Sequence, residues 1–402
     1  MATNNNLTDF LTAVADAIRE KNGTTDVINP QDMPGMIATI CNTSPVFFTT
    51  ADNSDTNVSA LCTSIANAIR AKKSYDSTKL INPQDFPEEI RGISVKTCMK
   101  ITASQAITVL ADGEEVSIPA NTETEVYMST SFSPNSNGAY ITKIDCSALD
   151  TSNFTNMENM FNSCTAITTL DVSGFKMSNV TSIAGMFTYV KLTTLDLSNW
   201  NTSQMKNMGW MFYGSSIQSV GDISGWDVSK VTAFEGMFYG CSSLSSFGDI
   251  NKWDTSNSEA FCCMFQNCTS LPTTLDLSNW KTSKVTNLDW MFTYDNIRSL
   301  DLSGWDTSSL TTMTNMLAAC SYLTELRLGP GWGKQTNNVT LRLDECGRYS
   351  GYLSTASLTS MLDMYDRAAN GLTSMTIRIR TNNAPTNWTA NMQARGYTIT
   401  VG

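Results

Sequence analysis

Hydrophobic and polar positions recur through the middle of this chain with a period of 25 to 27 residues. Each repeat opens with apolar and polar residues in alternation, as in Leu275–Ser278, and this pattern is typical of a half-buried strand. A fixed period of this length predicts units that stack on one another as a solenoid. The aspartates that open the seven repeats are Asp145, Asp171, Asp196, Asp222, Asp249, Asp276 and Asp301.

Each repeat carries apolar residues at further fixed positions. The fourth residue after the aspartate is large and apolar, and we expect these side chains to form a buried ladder from Phe175 to Trp305. Apolar residues at the ninth, twelfth, fifteenth and sixteenth positions, such as Val285, Leu288 and Met291, have helical spacing. This spacing predicts a short helix or helical turn on the second side of each repeat, with a short strand as the alternative.

The polar and small residues that repeat are interpreted as scaffold. An aspartate present in every repeat is better explained as capping a corner, or pairing with neighbouring backbone, than as a catalytic acid. A serine at the seventh position can cap the next segment or bond backbone groups at the bend. Cysteines at the nineteenth position suit a tight buried turn, and we favour a reduced pair over a bridge for Cys241 and Cys268.

Two shorter segments near the N-terminus, residues 7–40 and 56–93, also resemble each other. Apolar residues at three- and four-residue steps predict one helical stripe in each, and an Asn-Pro pair predicts the start of a short second helix. So short a segment needs another surface to pack on, so we expect attachment or oligomerisation here, the alternative being a paired minidomain without a partner. The residues expected to make these contacts are Phe10, Val14, Ile18, Ile65, Ile69 and Phe86.

These patterns divide the chain into four parts. Residues 1–93 form two helical hairpins, and residues 94–143 form a small β connector with a hairpin turn at Asp112, which caps the first repeat. Residues 144–325 hold the repeats, and residues 326–402 form a mixed α/β cap. The expected fold is therefore an α/β repeat, a right-handed solenoid of about seven coils with a parallel β-sheet.

Composition narrows the chemistry. The net charge of −11 disfavours nucleic acid as a partner, and the absence of histidine removes the usual general base and the commonest metal ligand. No Cys-x-x-Cys pair occurs, so we expect no metal and no cofactor. The acids Glu235, Glu259 and Asp289 lie singly on predicted turns rather than as a catalytic pair, so we expect no catalytic residues and no enzyme.

Positions that fail to repeat are the ones where a partner would bind. Several repeats place aromatic residues there, and an exposed row of rings would suit stacking on sugars or anchoring a protein contact. The alternative is that these rings fill gaps between the repeats. The candidate binding residues are Tyr189, Trp210, Tyr213, Tyr239, Trp290 and Tyr294.

The sequence motif Leu-Asp-Leu-Ser-x-Trp-x-Thr-Ser-x-Val-Thr, repeated over residues 144–328, resembles the BspA-like family of bacterial leucine-rich repeats. This resemblance implies a leucine-rich-repeat solenoid used for adhesion to surfaces. A second motif, near the N-terminus, resembles a short repeat of structural proteins of tailed bacteriophages. It occurs at residues 15–21 and 28–37, and again at 66–72 and 81–90. That second resemblance implies attachment to a virion.

We therefore expect a bacteriophage virion structural protein, in a tail fibre, baseplate or head decoration, that presents the solenoid to a host surface glycan or protein. The alternative is a bacterial cell-surface BspA-like adhesin. The first residues lack the basic start and apolar run of a secretory signal, and no stretch has 18 consecutive apolar residues, so we expect a virion location without membrane insertion. The expected partners are other virion proteins and further copies of this chain, for example in a trimer.

Overall fold

A computed structural model describes residues 97–380 and 383–401. In these ranges the chain forms twelve strands and two short α-helices. The helical hairpins expected over residues 1–93 lie outside the described residues, and so do the six residues proposed for attachment. These six are Phe10, Val14, Ile18, Ile65, Ile69 and Phe86.

Six strands precede the turns of the first repeat, namely β1 (Thr97–Ala103), β2 (Ile107–Ala111), β3 (Glu114–Ile118), β4 (Thr124–Met128), β5 (Phe132–Ser133) and β6 (Ile141–Asp145). They form two three-stranded sheets with the orders β4-β1-β6 and β3-β2-β5. The pairs β1–β6, β2–β3 and β2–β5 are antiparallel. Asp112 and Gly113 connect β2 to β3 with φ values of 51° and 82°, which confirms the predicted hairpin turn.

The expected α/β solenoid with one continuous parallel sheet is wrong. Among the described repeats, a parallel sheet forms only from the sixth repeat, the seventh repeat and the segment that follows, as β7 (Thr274–Asp276), β8 (Ser299–Leu302) and β9 (Glu325–Leu328). Isolated parallel bridges, such as Ser182↔Asn207, are the other β pairing between repeats. The described residues thus hold four small three-stranded sheets and two short helices.

The predicted helix on the second side of each repeat is also absent from the described residues, and the backbone explains why. The fourteenth and eighteenth residues after each opening aspartate have positive φ, for example Trp290 at 61° and Tyr294 at 67°. Two left-handed residues four positions apart interrupt a right-handed helix. The N–H groups between them alternate in direction: Phe292 donates to the Met316 carbonyl of the next repeat at 2.9 Å, whereas Met291 donates to the Leu288 carbonyl of its own turn at 3.4 Å.

A stack of rings links the repeats and confirms the predicted ladder. Ring centroids of neighbouring members lie 6.0 to 6.4 Å apart with planes within 8° of parallel. Each indole N–H donates to a backbone carbonyl of the preceding repeat, as Trp280 does to Ile250 at 2.8 Å. The members of this tryptophan ladder are Phe175, Trp200, Trp226, Trp253, Trp280, Trp305 and Trp332.

Polar side chains close the corners beside this ladder. In every repeat the opening aspartate accepts a hydrogen bond at Oδ1 from the N–H two residues later, as Asp196 does from Ser198 at 3.0 Å. The Ser198 hydrogen bonds lower the pKa of Asp196. The capping interpretation of the aspartates is therefore confirmed, whereas their catalytic use has no support in this geometry.

Buried threonines and cysteines add two further ladders. Thr282 Oγ1 donates to the Asp306 carbonyl of the next repeat at 2.9 Å, a role that sequence reasoning missed. Cys268 and Cys320, at the nineteenth position, donate their thiols to phenylalanine carbonyls of the preceding repeat at 2.9 and 3.0 Å. Cys241 and Cys268 are both free thiols, as predicted. Five of the seven repeats place a small buried residue at the nineteenth position, namely Cys164, Ser215, Cys241, Cys268 and Cys320, and the two exceptions are Val190 and Asp295.

The C-terminal part consists of a parallel sheet and two helices. The strands β10 (Thr340–Arg342), β11 (Met375–Ile379) and β12 (Tyr397–Val401) pair in that order. The helices are α1 (Thr355–Ser360), which the Ser354 side chain caps by accepting from the Ser357 N–H, and α2 (Trp388–Ala394). Buried Arg367 donates to the carbonyls of Gly333 and Gln335, which fixes the loop after Trp332.

Candidate binding surface

Four of the six candidate binding residues lie together in one aromatic cluster, composed of Tyr189, Trp210, Tyr213 and Tyr239. The Tyr213 and Tyr239 rings are stacked, with centroids 5.0 Å apart, and Tyr189 meets Tyr213 at 4.8 Å. Trp210 stands edge-on to Tyr213 and Tyr239 at 5.5 and 6.1 Å. The cluster thus spans three consecutive repeats.

Glycines of the following repeat make room for two of these rings. A Cβ added at Gly214 would lie 2.6 Å from a ring carbon of Tyr189, and one at Gly236 would clash with the Trp210 ring. Both glycines have positive φ, so their repeats also need a residue that accepts a left-handed backbone. The Trp210 ring lies close over the Gly236 backbone, and 40% of the Trp210 side chain stays exposed. One side of this indole is therefore supported and another is open to a ligand.

Hydroxyl groups give the cluster a polar edge. A side-chain hydrogen bond with Tyr213 raises the pKa of Tyr189. Tyr189 is 42% exposed, so its hydroxyl reaches solvent. Rings that combine a flat apolar face with hydroxyl donors and acceptors match the surface of a sugar, which also has apolar faces and hydroxyl edges.

The other two candidates lie further along the chain: Trp290 occupies the position of Trp210 three repeats later, and Tyr294 occupies the position of Tyr189 four repeats later. Their exposed fractions are 37% and 56%. Neither makes a ring contact with the aromatic cluster within the described residues. The structure therefore divides the predicted row into a cluster of four rings and a separate pair.

Several of these aromatic residues hold a backbone conformation that glycine or asparagine would adopt with less strain. Tyr189, Trp210, Trp290 and Tyr294 have φ values between 58° and 67°. A bulky residue in this region is a genuine outlier, and such outliers cluster at functional sites. The sequence could have revealed these positions only through the glycines and asparagines that occupy them in other repeats.

The acidic side chain of Asp289, near this surface, accepts hydrogen bonds from the next repeat. Asp289 Oδ1 accepts from Thr312 Oγ1 at 2.5 Å and from the Thr314 N–H, so this carboxylate closes a turn of the next repeat. Burial raises the pKa of Glu235, with a smaller contribution from the charge of Glu259. The described residues contain no cluster of three acidic or cysteine side chains placed to hold a metal ion.

A groove on the described surface lies away from the aromatic cluster, between the first two repeats. It has a volume of about 610 Å³ and is lined by Asp145, Asp171 and Phe175 among others. Both aspartates accept hydrogen bonds from their own turns, from Ser147 and Ser173. Separately, no helix in residues 97–380 and 383–401 has the length and hydrophobicity needed to span a membrane.

The stacked repeats with their tryptophan ladder define a BspA-like repeat protein. The chain belongs to the family described as "Mycoplasma protein of unknown function, DUF285", whose model matches residues 121–220 and 211–326. These two matches together cover 206 of 402 residues, from 121 to 326, and do not reach the two N-terminal segments. No curated protein and no solved structure matches the chain.

Proposed function

We propose that this chain is a non-enzymatic structural protein of a bacteriophage virion that uses its repeats to adhere to a host surface glycan or protein. The observation that carries the adhesion part is the exposed aromatic cluster around Trp210, with Trp290 and Tyr294 beyond it. The proposed location in a virion rests on the sequence motif of the two N-terminal segments, which resembles a repeat of phage structural proteins. The repeats supply a rigid support, and the non-repeating rings supply the contact.

Rigid support matters because binding costs less entropy when the contacting groups are already fixed. Trp210 is held by the Gly236 backbone beneath it and by Tyr213 and Tyr239 at its edge. A ring held in this way loses little freedom when a sugar or a protein side chain packs on it. Fixed aromatic residues are the common anchors of protein interfaces.

The adhesion hypothesis is tested by removing the rings without straining the backbone. Asparagine occupies the same left-handed position in two other repeats, as Asn159 and Asn315, so Trp210→Asn and Trp290→Asn preserve the turn. We expect the double variant to bind host cells or a glycan array at least about tenfold more weakly, equivalent to ~1.4 kcal/mol.

The matched control is Tyr140→Ala, because Tyr140 is exposed to the same extent as Trp210 but precedes the repeats. This variant should bind like the wild type. Unchanged binding by the folded double asparagine variant would refute the aromatic contact.

A bacterial cell-surface adhesin with the same repeats is the second candidate. The family description, which names a Mycoplasma protein, favours it. Immunoelectron microscopy of purified phage particles and of host cells separates the two. Label on a tail fibre, baseplate or capsid supports the virion proposal, whereas label confined to the cell envelope supports the adhesin.

The N-terminal segments are proposed to join the chain to other virion proteins and to further copies of itself. Light scattering of the full chain should give a mass of two or more copies, for example a trimer. Deletion of residues 1–93 should reduce that mass to one copy. A full chain that is monomeric would refute self-association.

A further inference from the structure

Cys262 and Cys263 differ from the cysteines that form the buried ladder. Ladder cysteines such as Cys241 and Cys268 are fully buried and donate to carbonyls of the preceding repeat. Cys262 and Cys263 are consecutive and only half-buried, at the thirteenth and fourteenth positions of the fifth repeat. They are the one pair of adjacent cysteines in the sequence.

The repeat architecture does not require thiols at these positions. The equivalent pair is Glu235-Gly236 in the preceding repeat and Asp289-Trp290 in the following one. Cys263 also has a φ of 58°, a left-handed conformation that is unfavourable for a residue with a Cβ. Glycine or asparagine would fit this turn better, so stability alone does not account for Cys263.

Neighbouring repeats hold the backbone of both cysteines in place. The Cys262 carbonyl accepts from the Gly236 N–H at 2.9 Å, and the Cys263 N–H donates to the Asp289 carbonyl at 2.8 Å. The two thiols share a hydrogen bond that lowers the pKa of Cys263 and raises the pKa of Cys262. Cys263 is therefore the better nucleophile, and Cys262 is fixed next to it as the resolving thiol.

We propose that Cys262 and Cys263 form a redox-active vicinal dithiol, which closes to an intramolecular disulfide by exchange with a low-molecular-weight disulfide. The Cys263 thiolate attacks one sulfur of the oxidant, the oxidant's S–S bond breaks, and the first small thiolate leaves. The Cys262 thiolate then attacks Cys263 Sγ of the mixed disulfide and expels the second. Two protons pass from the protein to the leaving groups, so two small thiols form for each protein disulfide.

The closed pair acts as a reversible switch rather than a structural staple. Consecutive Cα atoms lie about 3.8 Å apart, whereas ordinary disulfides join Cα atoms about 4.4–6.8 Å apart. The eight-membered ring is therefore strained, and strained or exposed disulfides are readily reduced. Closure would also change the surface between Trp210 and Trp290, and this consequence alone depends on the proposed function.

The experiment uses the full chain and oxidised glutathione. After incubation, free thiols are blocked with N-ethylmaleimide, and the peptides are analysed by mass spectrometry. The chymotryptic peptide Cys262–Phe265, which excludes Cys268, should carry no maleimide and should have lost two hydrogen atoms. The peptide with Cys98, a half-buried single cysteine, should not form an internal bridge. Dithiothreitol should restore both thiols.

Two serine variants test the order of the steps. Cys262→Ser should trap a stable glutathione adduct on Cys263, because the resolving thiol is gone. Cys263→Ser should lose the closed product and form the adduct on Cys262 at least about tenfold more slowly, because the more acidic thiol has been removed. Phenylarsine oxide, which bridges paired thiols, should bind the wild type and neither variant at this site.

Complete maleimide labelling of both cysteines after oxidation of the wild type would overturn the proposal. A disulfide between chains, seen as a dimer on a non-reducing gel and absent from both serine variants, would overturn it as well. Neither readout depends on adhesion, so failure of this proposal and failure of the proposed function are distinguishable.

Discussion

The tryptophan ladder and the aromatic cluster use the same residue types under opposite constraints. Ladder rings are buried and nearly parallel, and each indole N–H has a carbonyl partner in the preceding repeat. In the cluster Tyr189 and Trp210 are exposed and Tyr213 and Tyr239 are half-buried, the rings meet at angles from 5° to 78°, and two of the four residues have a left-handed backbone. A ladder position is defined by its neighbours in two adjacent repeats, whereas a cluster position is defined mainly by its own turn. Residues that recur in every repeat are therefore the ones that pack between repeats, and residues that do not recur are the ones left available for binding.

The largest effect should come from a break in the middle of the ladder. Trp280→Ala removes the stacking contacts with Trp253 and Trp305, and it removes the indole N–H that donates to the Ile250 carbonyl. We expect the free energy of unfolding to fall by about 3–5 kcal/mol, the range for a buried tryptophan replaced by alanine. Urea denaturation followed by circular dichroism measures this loss.

The comparison is sharpened by the same measurement on Trp290→Asn, because Trp290 belongs to the exposed side. This variant should change the unfolding free energy by less than about 1 kcal/mol. Equal losses in Trp280→Ala and Trp290→Asn would show that both sides are packed alike.

An intermediate effect is expected at Asp295, which occupies the position of the cysteine ladder. Asp295 is fully buried, and its Oδ1 accepts from the Cys268 N–H at 2.8 Å. Its Oδ2 has no hydrogen-bond partner among the residues that the structure describes. Burial raises the pKa of Asp295 far above its usual value, with the Cys268 hydrogen bond acting in the opposite direction. One repeat thus carries an acid where its neighbours carry a thiol.

Asp295→Cys should stabilise the protein by about 1–3 kcal/mol at neutral pH, because it removes an incompletely bonded buried acid. The folded-state pKa lies above the unfolded value of about 3.9, so the folded state binds more protons above that pH. The contribution of Asp295 to the free energy of unfolding of the wild type therefore falls as the pH rises above about 4, by at most about 1.4 kcal/mol per pH unit. The advantage of the variant should grow between pH 4.5 and 7.5 in urea titrations. A constant difference across this range would contradict the buried-acid interpretation.

A smaller loss than that of Trp280→Ala should come from a methyl group added beneath the cluster. Gly236→Ala places a Cβ against the Trp210 ring at a residue with a φ of 57°, so we expect a loss of roughly 1–2 kcal/mol and a shift in tryptophan fluorescence. Gly174→Ala is the matched control, because no atom lies within 4 Å of the added Cβ and its φ is not positive. An unchanged fluorescence spectrum in Gly236→Ala would show that Trp210 does not rest on this glycine.

Part of the candidate surface was predictable from residue pattern, and part was not. The break in repetition identified Trp210 and Trp290 as positions to examine, because scaffold residues recur and these do not. The pattern could not show that Trp210 joins three tyrosines while Trp290 lies apart from them. Ring contacts depend on which side chains point across to the next repeat, and spacing alone does not contain that information.

The sequence by itself determined the register of the repeats, the tryptophan ladder and the role of the opening aspartates. Those features follow from identical residues at a fixed period, which stacking brings into contact whatever the details of the backbone. Only the tertiary structure decided the backbone conformation of each repeat between its ladder residue and the next opening aspartate. Apolar spacing around Val285 and Met291 predicted helices, yet Trp290 and Tyr294 are left-handed and the backbone bonds to adjacent repeats. Hydrogen bonds between repeats outweighed local periodicity, because every backbone group buried between two repeats needs a partner.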